Sequence, residues 1–465
     1  MKKIVRQSIV FALFLVLVLQ SFAFAATASQ VQKIRFSQAS DKVRLVLEIG
    51  ALPDYTVDAS TAGEITIDLP STTLTAGAAL PAIKDKDITA IRWDKAAGNH
   101  LKLTISFTDK VTAKVFSLAN PNRLVIDLLK SGDKTVTTVA PGLTYTHWLR
   151  NEAFGPVETY VVEADLAKYN LRPVLSNTIV PGLEAVSDMA ERNQAVAAIN
   201  GSYFAPNGEI IGLLKLNDTI VSIPYITRTA LAITTDNKLV FDQVDYQGSI
   251  RLPDKRTLAI NGINCERGED AVTLYNSYYG SSTKTNEFGR EYVVTNGKIT
   301  AISPQDTNLV SGSVVLSAHG TAAKAMESLK VGDVVTIEQS LGDVFNKAPF
   351  AIGAGPTLVR DGKVFLTTTA EEFPDDIAIG RAPRTALGVT KDNHVLLVVV
   401  DGRHASKGYT LGELANFMKE LGAVDAMNFD GGGSSDMVVK DEVKNKPSDG
   451  QERLVGDALI LVPKK

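Results

Sequence analysis

The chain has 465 residues, 45% hydrophobic and 22% charged, a formal net charge of -4 and one cysteine. This is an ordinary globular composition, large enough for more than one core. Its slight acidity excludes bulk attraction to nucleic acid, so any phosphate must be met locally, and Cys265 alone cannot form an intramolecular disulfide.

Lys2, Lys3 and Arg6 precede an apolar run from Ile9 to Leu19 that ends in Ala23-Phe24-Ala25. This is the layout of a secretory signal at residues 1–25, with cleavage expected after Ala25. A membrane anchor would need roughly 20 apolar residues, so the exported chain is expected to have no transmembrane segment.

Residues 30–130 alternate apolar and polar positions, as in Val43 to Ile49, Glu64 to Leu69, Leu101 to Ile105 and Arg123 to Leu128, which predicts an all-β sandwich. Ile34-Arg35-Phe36 with Ile67-Asp68-Leu69 is echoed by Ile91-Arg92-Trp93 with Ile126-Asp127-Leu128, suggesting two similar halves. The stretch from Phe116 to Leu128, with its Asn120-Pro121 turn, resembles the signature of the AMIN domain. That resemblance implies envelope targeting, with cell-wall glycan or peptidoglycan as the partner of residues 30–130. A β-sandwich without a ligand is the alternative.

Residues 131–142 are polar and end in Pro141-Gly142, which reads as a linker. Residues 143–465 then mix element types, predicting an α/β (α+β) catalytic domain. Glu184 to Arg192 and Ala322 to Leu329 read as helices, and Val157 to Val162, Val196 to Asn200 and Val395 to Val400 as strands. The last is apolar on both faces, as in a strand central to its sheet. Arg228 to Thr234 and Arg384 to Thr390 share five of seven residues, which reads as a duplicated strand unit. The simplest reading of Cys265 is a buried thiol.

The densest chemistry lies between Arg384 and Ser435. Asp401 and Asp430 each end an apolar strand, where ligand crevices form. Thr410 and Glu413 predict a capping box on a helix burying Leu411, Leu414, Ala415, Met418 and Leu421. Gly431-Gly432-Gly433-Ser434-Ser435 reads as an anion-binding loop or as a tight turn. Two carboxylates with Arg384 and Arg403 suit glycosyl chemistry on a phosphate-bearing sugar.

Asn200 to Phe204, Ala382 to Gly388, Asp401-Gly402-Arg403, Asn428 to Ser435 and Asn445 to Gly450 look like successive motifs of the phosphodiester glycosidase family, and Ser317 to Gly320 matches a bacterial branch of it. The resemblance runs over roughly residues 150 to 463. It implies hydrolysis of a sugar-1-phosphodiester of the N-acetylglucosamine type. Under it Asp430 acts at the anomeric carbon, with Asp401 as base or orienting partner. Arg384, Gly431, Gly432, Gly433, Ser434 and Ser435 hold phosphate, and Asn200 holds a sugar hydroxyl or phosphate. Ser202, Thr385, Arg403, His319 and Asn428 join the substrate-binding set, Glu291 joins the catalytic set, and His404 and Glu287 are further candidates.

No His-x-x-x-His, paired Cys, spaced calcium loop, Gly-x-Ser-x-Gly or Walker loop occurs, so no metal or cofactor is expected. The expected function is an exported cell-envelope hydrolase, a glycosidase acting on wall polymer or exopolysaccharide. The alternative is a non-catalytic carbohydrate-binding protein of polysaccharide assembly.

Overall fold

The computed structural model describes residues 29–464 except 40, 41, 97–99, 109, 131 and 153. The signal segment at 1–25 lies outside these. No helix of the described residues is long and apolar enough to cross a membrane. The chain is β-rich and divides into two compact units, residues up to Lys130 and residues from Ser131 on.

The first unit is built from two sheets. One runs Thr72–Leu74, Ser29–Gln38, Lys42–Ile49, Arg123–Lys130, Val111–Leu118, and the other Thr56–Asp58, Glu64–Leu69, His100–Phe107, Ile88–Ala96. Strand alternation is what lets them pack: Val43, Leu45 and Leu47 of one sheet and Ile65, Ile67 and Leu69 of the other are buried in one core. The sequence echo falls on equivalent strands. Each half contributes one hairpin to each sheet, and the halves meet through the pairs Lys42–Ile49 with Arg123–Lys130 and Glu64–Leu69 with His100–Phe107. Arg44 donates to both oxygens of Asp127 across the first of these junctions, at 2.5 and 2.6 Å.

In the second unit strands carry nearly all the architecture. Its main sheet runs Lys134–Ala140, Leu143–Glu152, Gly155–Asp165, His394–Val400, Arg384–Thr390, Ala423–Asn428, Thr357–Arg360, Lys363–Val364. The segment 131–142, read as a linker, therefore holds the edge strand Lys134–Ala140, paired with Leu143–Glu152. Its Thr and Val residues suit an edge strand as well as they suit a linker, and composition does not separate the two. His394–Val400 lies between Gly155–Asp165 and Arg384–Thr390, buried at every position from Val395 to Val400, as its apolar run predicts.

A second sheet runs Tyr169–Leu175, Asp457–Pro463, Ala197–Asn200, Met437–Val439, Glu442–Val443. It shares a core with the main sheet through Leu171, Ile199, Leu387, Leu397, Phe429 and Leu459. The helix Leu411–Glu420 covers the other face of the main sheet with Leu411, Leu414, Ala415, Phe417 and Met418, and its capping box is formed. Leu421 is its C-cap and only half buried. The other two helix expectations appear as Val186–Arg192 and Gly320–Met326.

The Arg-Thr-Ala-Leu repeat marks a structural duplication. A third sheet runs Thr219–Ser222, Leu214–Leu216, Phe350–Gly353, Arg228–Ile233, Leu239–Val244, the same order as the distal five strands of the main sheet read backwards. Registers agree. Arg228 pairs with Val244 as Arg384 pairs with Val400, and Ala230 with Gly353 as Ala386 with Asn428. Ala354 N–H donates to Thr229 O as Phe429 N–H donates to Thr385 O. Gly355 thus holds the place in the first copy that Asp430 holds in the second. Where the second copy crosses over through the helix Leu411–Glu420, the first carries an inserted lobe with the sheets of Gln247–Arg251 and Gly289–Thr295.

Candidate active site

Alternating strand direction assembles the centre. His394–Val400 and Ala423–Asn428 flank Arg384–Thr390 and both run antiparallel to it. The ends of two strands, carrying Asp401 and Asp430, therefore lie at the same sheet edge as the start of the third, carrying Arg384. Asn200, at the end of Ala197–Asn200, reaches this edge from the second sheet. Its Oδ1 accepts from Thr385 Oγ1 at 2.7 Å and from Asp436 N–H at 3.2 Å, and its Nδ2 donates to Asp430 O at 2.7 Å. Asn200 and Thr385 are thus a clasp between sheets, with their polar atoms engaged by protein.

Asp430 is half-buried. Desolvation pushes its carboxyl up to about 6, against the lowering effect of hydrogen bonds from Ser434 and Gly431 N–H and of the Arg453 charge. Gly431 N–H lies 2.8 Å from Asp430 Oδ1. A carboxyl so placed changes charge closer to neutral pH than an ordinary aspartate does.

The glycine loop serves mostly itself. Gly432 N–H donates to Pro383 O, Ser434 N–H to Gly431 O and Ser435 N–H to Gly432 O, so among residues 431–435 only Gly433 N–H lacks a protein acceptor within the described residues. Glycine is needed at Gly432, whose φ is +64° and where a Cβ would press on the Arg403 guanidinium. At Gly433 a Cβ would collide with Arg453 and Asp449. The Ser434 hydroxyl accepts from Arg453 at 3.4 Å, and Ser435 is buried with no partner for its hydroxyl among the described residues. The expected broad nest of N–H donors is therefore narrower than its composition suggests.

The cations are better placed. Arg384 is 3% exposed and held by backbone carbonyls alone: Nε donates to Tyr409 O at 2.9 Å, and Nη2 to Ile377 O at 2.8 Å and Gly380 O at 2.5 Å. Burial lowers its pKa, and no carboxylate pairs with it among the described residues. Arg403, with φ of +71°, is exposed against Gly432 and has no ion pair among the described residues.

Other sequence candidates have other duties. Asp401, 4% exposed, accepts from Tyr160 OH at 3.0 Å, from Asn445 Nδ2 at 3.3 Å and from Lys446 N–H at 3.2 and 3.1 Å. Burial raises its pKa against these bonds. The geometry makes it an anchor for the Asn445-Lys446 loop. Ser202 donates both N–H and hydroxyl to Asp457, at 2.6 and 2.8 Å. Asn428 Nδ2 donates to Tyr203 OH and to Gly355 O.

Glu291 is not brought here. It lies in the inserted lobe, fully buried, accepting from Thr283 and Thr285 hydroxyls and from Thr307 N–H. His319 ends the neighbouring strand of that lobe. Glu287 is exposed, and His404 Nε2 lies 2.8 Å from Ser448 O. Cys265 is half-buried, its thiol pushed up to about 11 by desolvation, which keeps it protonated.

Sequence reading missed two buried acids, Asp457 and Asp436, and one ion-paired cation, Arg453, around the centre. Asp457 is buried and pushed up to about 6, with Asp430 adding to the rise. Asp436 is buried and pushed up to about 9 by desolvation and by Glu452. No N–H or O–H of the described residues reaches either Asp436 oxygen, so its hydrogen bond to Glu452 uses its own proton. Arg453 pairs with Asp449 at 2.6 Å beside Gly433. Asp457 opens an apolar strand, whereas Asp401 and Asp430 follow the ends of theirs, so a search of strand ends alone passes over it.

A cavity of about 510 Å³ lies elsewhere, lined by Glu209, Tyr225, Asn261, Asn264 and Cys265. It offers one carboxylate and no unpaired cation, so chemistry rather than volume places the candidate centre at Asp430.

Part of each unit matches a known domain family. The AMIN domain model matches residues 90–137, and the phosphodiester glycosidase model matches residues 288–462, starting after the Asn200 motif. The bovine N-acetylglucosamine-1-phosphodiester alpha-N-acetylglucosaminidase is 28% identical over 155 residues, 30% of this chain and 29% of that protein. The SPbeta prophage-derived uncharacterized protein YomE of Bacillus subtilis is 38% identical over 111 residues, 23% of this chain and 16% of that protein. The chain thus spans less than a third of either relative's length. A hypothetical protein from Synechocystis has the same fold, with a TM-score of 0.65 at 24% identity over 94% of this chain and 81% of that one.

Proposed function

We propose that the second unit is a hydrolase that cleaves a sugar-1-phosphodiester, of the N-acetylglucosamine type, in a cell-wall polymer or exopolysaccharide. The observation that carries this reading is Asp430, raised to about 6 at a sheet edge that also bears Arg384 and Arg403, neither paired with a carboxylate among the described residues. The bond between C1 and the phosphate oxygen breaks, water gives its hydroxyl to C1, and its proton ends on the released phosphate monoester. Ionised Asp430 stabilises the oxocarbenium-like centre. The leaving group is already anionic, so guanidinium groups and the Gly433 N–H aid departure more than a strong acid would. The AMIN match supports an exported, wall-bound setting, with residues 30–130 holding glycan or peptidoglycan.

The test is free N-acetylglucosamine released from a soluble 1-phosphodiester by the full chain, beside Asp430→Asn. We expect release to fall at least about a hundredfold in the variant. No release by the parent from this compound or from isolated wall polymers sinks the enzyme reading and leaves a carbohydrate-binding protein.

A further inference from the structure

The duplicated strands bring a third arginine toward the same centre. Arg228 is the counterpart of Arg384 by register, and its Nε likewise donates to a backbone carbonyl, Glu371 O at 3.3 Å. Its guanidinium carbon sits 4.2 Å from the centroid of Phe373, whose ring lies 5.9 Å from that of Tyr203. Tyr203 in turn accepts from Asn428, the residue paired beside Arg384's strand, and its hydroxyl feels the charges of Asp430, Arg384 and Arg228 together. Arg228 is half-buried and has no ion pair among the described residues.

Arg228, Arg384 and Arg403 are thus three guanidinium groups with no carboxylate partner among the described residues, and Arg228 and Arg384 share the surroundings of Tyr203 with Asp430. A single phosphodiester carries one negative charge and two acceptor oxygens, which one bidentate guanidinium already satisfies. We propose that Arg228 binds a second phosphate of the substrate, so that the centre takes sugar phosphates with two phosphate groups in sequence rather than an isolated phosphodiester. Phe373 fixes the guanidinium plane by stacking, and the carbonyl of Glu371 takes its Nε–H, leaving the two terminal nitrogens for bidentate contact. The first copy of the repeat has Gly355 where the second has Asp430, so it supplies recognition without a second reacting carboxylate. This inference rests on the glycosidase reading for its substrate but not for its binding site.

The experiment compares the parent with Arg228→Gln and Arg228→Lys on three substrates: a methyl phosphodiester of N-acetylglucosamine 1-phosphate, a nucleotide diphosphate sugar, and a polymer of repeating glycosyl 1-phosphate. The ratio of kcat/KM for a two-phosphate substrate to that for the methyl diester is expected to fall at least about tenfold in Arg228→Gln, with partial recovery in Arg228→Lys. Which two-phosphate substrate shows the fall tells whether the second phosphate belongs to a diphosphate or to the next repeat. An unchanged ratio overturns the proposal, whatever the Tm of the variant. If the parent turns over none of the three, the glycosidase reading fails on its own. Calorimetry with inorganic pyrophosphate and phosphate then decides, a pyrophosphate preference that Arg228→Gln loses supporting the second site and equal preferences overturning it.

Discussion

Asn200 and Thr385 belong to different sheets, and the 2.7 Å bond from Thr385 Oγ1 to Asn200 Oδ1 holds those sheets together beside Asp430. Because Asn200 Nδ2 also carries the Asp430 carbonyl, the position of the carboxylate proposed to react is set from outside its own strand. Thr385→Val removes one donor from this clasp. We expect a loss of about 1 kcal/mol in denaturant unfolding together with a lower kcat at unchanged KM. A stability loss with kcat intact would reduce Asn200 to a purely structural role.

Asp430 should set the acid limb of activity. Desolvation raises its carboxyl to about 6, and in the proposed reaction the ionised form is the one that stabilises positive charge at C1. The value of kcat/KM should therefore rise with pH and level off above about 6. A limb near the ordinary carboxylate value of about 4 would show that another group controls the rate.

Glu291→Gln should separate stability from chemistry. The carboxylate is fully buried and accepts from three donors in the inserted lobe, so its amide analogue disturbs that network. We expect a cost of about 1–3 kcal/mol with kcat/KM per folded molecule unchanged. A selective loss of turnover in a variant of normal Tm would return Glu291 to the catalytic set.

Asp436 gives a pH signature in stability. Its folded pKa, about 9, lies above that of the unfolded chain, so the fold keeps a proton that the unfolded chain has lost. That contribution is full below about pH 4 and drains as pH rises toward about 9. Asp436→Asn cannot ionise, so thermal unfolding should show it gaining on the parent steadily from pH 5 to 9. Parallel curves would mean that Asp436 does not share a proton with Glu452.

Much of this molecule is legible from residue order because its signals are local. Alternation in Val43 to Ile49 gives a half-buried strand, the run Val395 to Val400 gives a central one, and Thr410 with Glu413 gives a helix start. The Arg-Thr-Ala-Leu repeat even marks a tertiary duplication. What composition hides is who occupies a polar atom. Asn200, Ser202 and Thr385 look like ligand contacts in the chain, yet each is engaged by a residue far away in sequence. The loop Gly431 to Ser435 looks like an open row of N–H donors until Pro383 and Asp430 claim two of them. Glu291 and the site at Asp430 are both acid-bearing strand environments, and only the sheet order separates them.

At Gly355 the backbone has a φ of +80°, and a side chain there would collide with the Glu371 carboxylate. A single substitution therefore cannot place an acid at Gly355 to match Asp430, because the Glu371 carboxylate already fills that space. The two copies of the strand unit are thus locked into unequal chemistry, an acid following the strand in one and a carboxylate from a neighbouring loop occupying that place in the other.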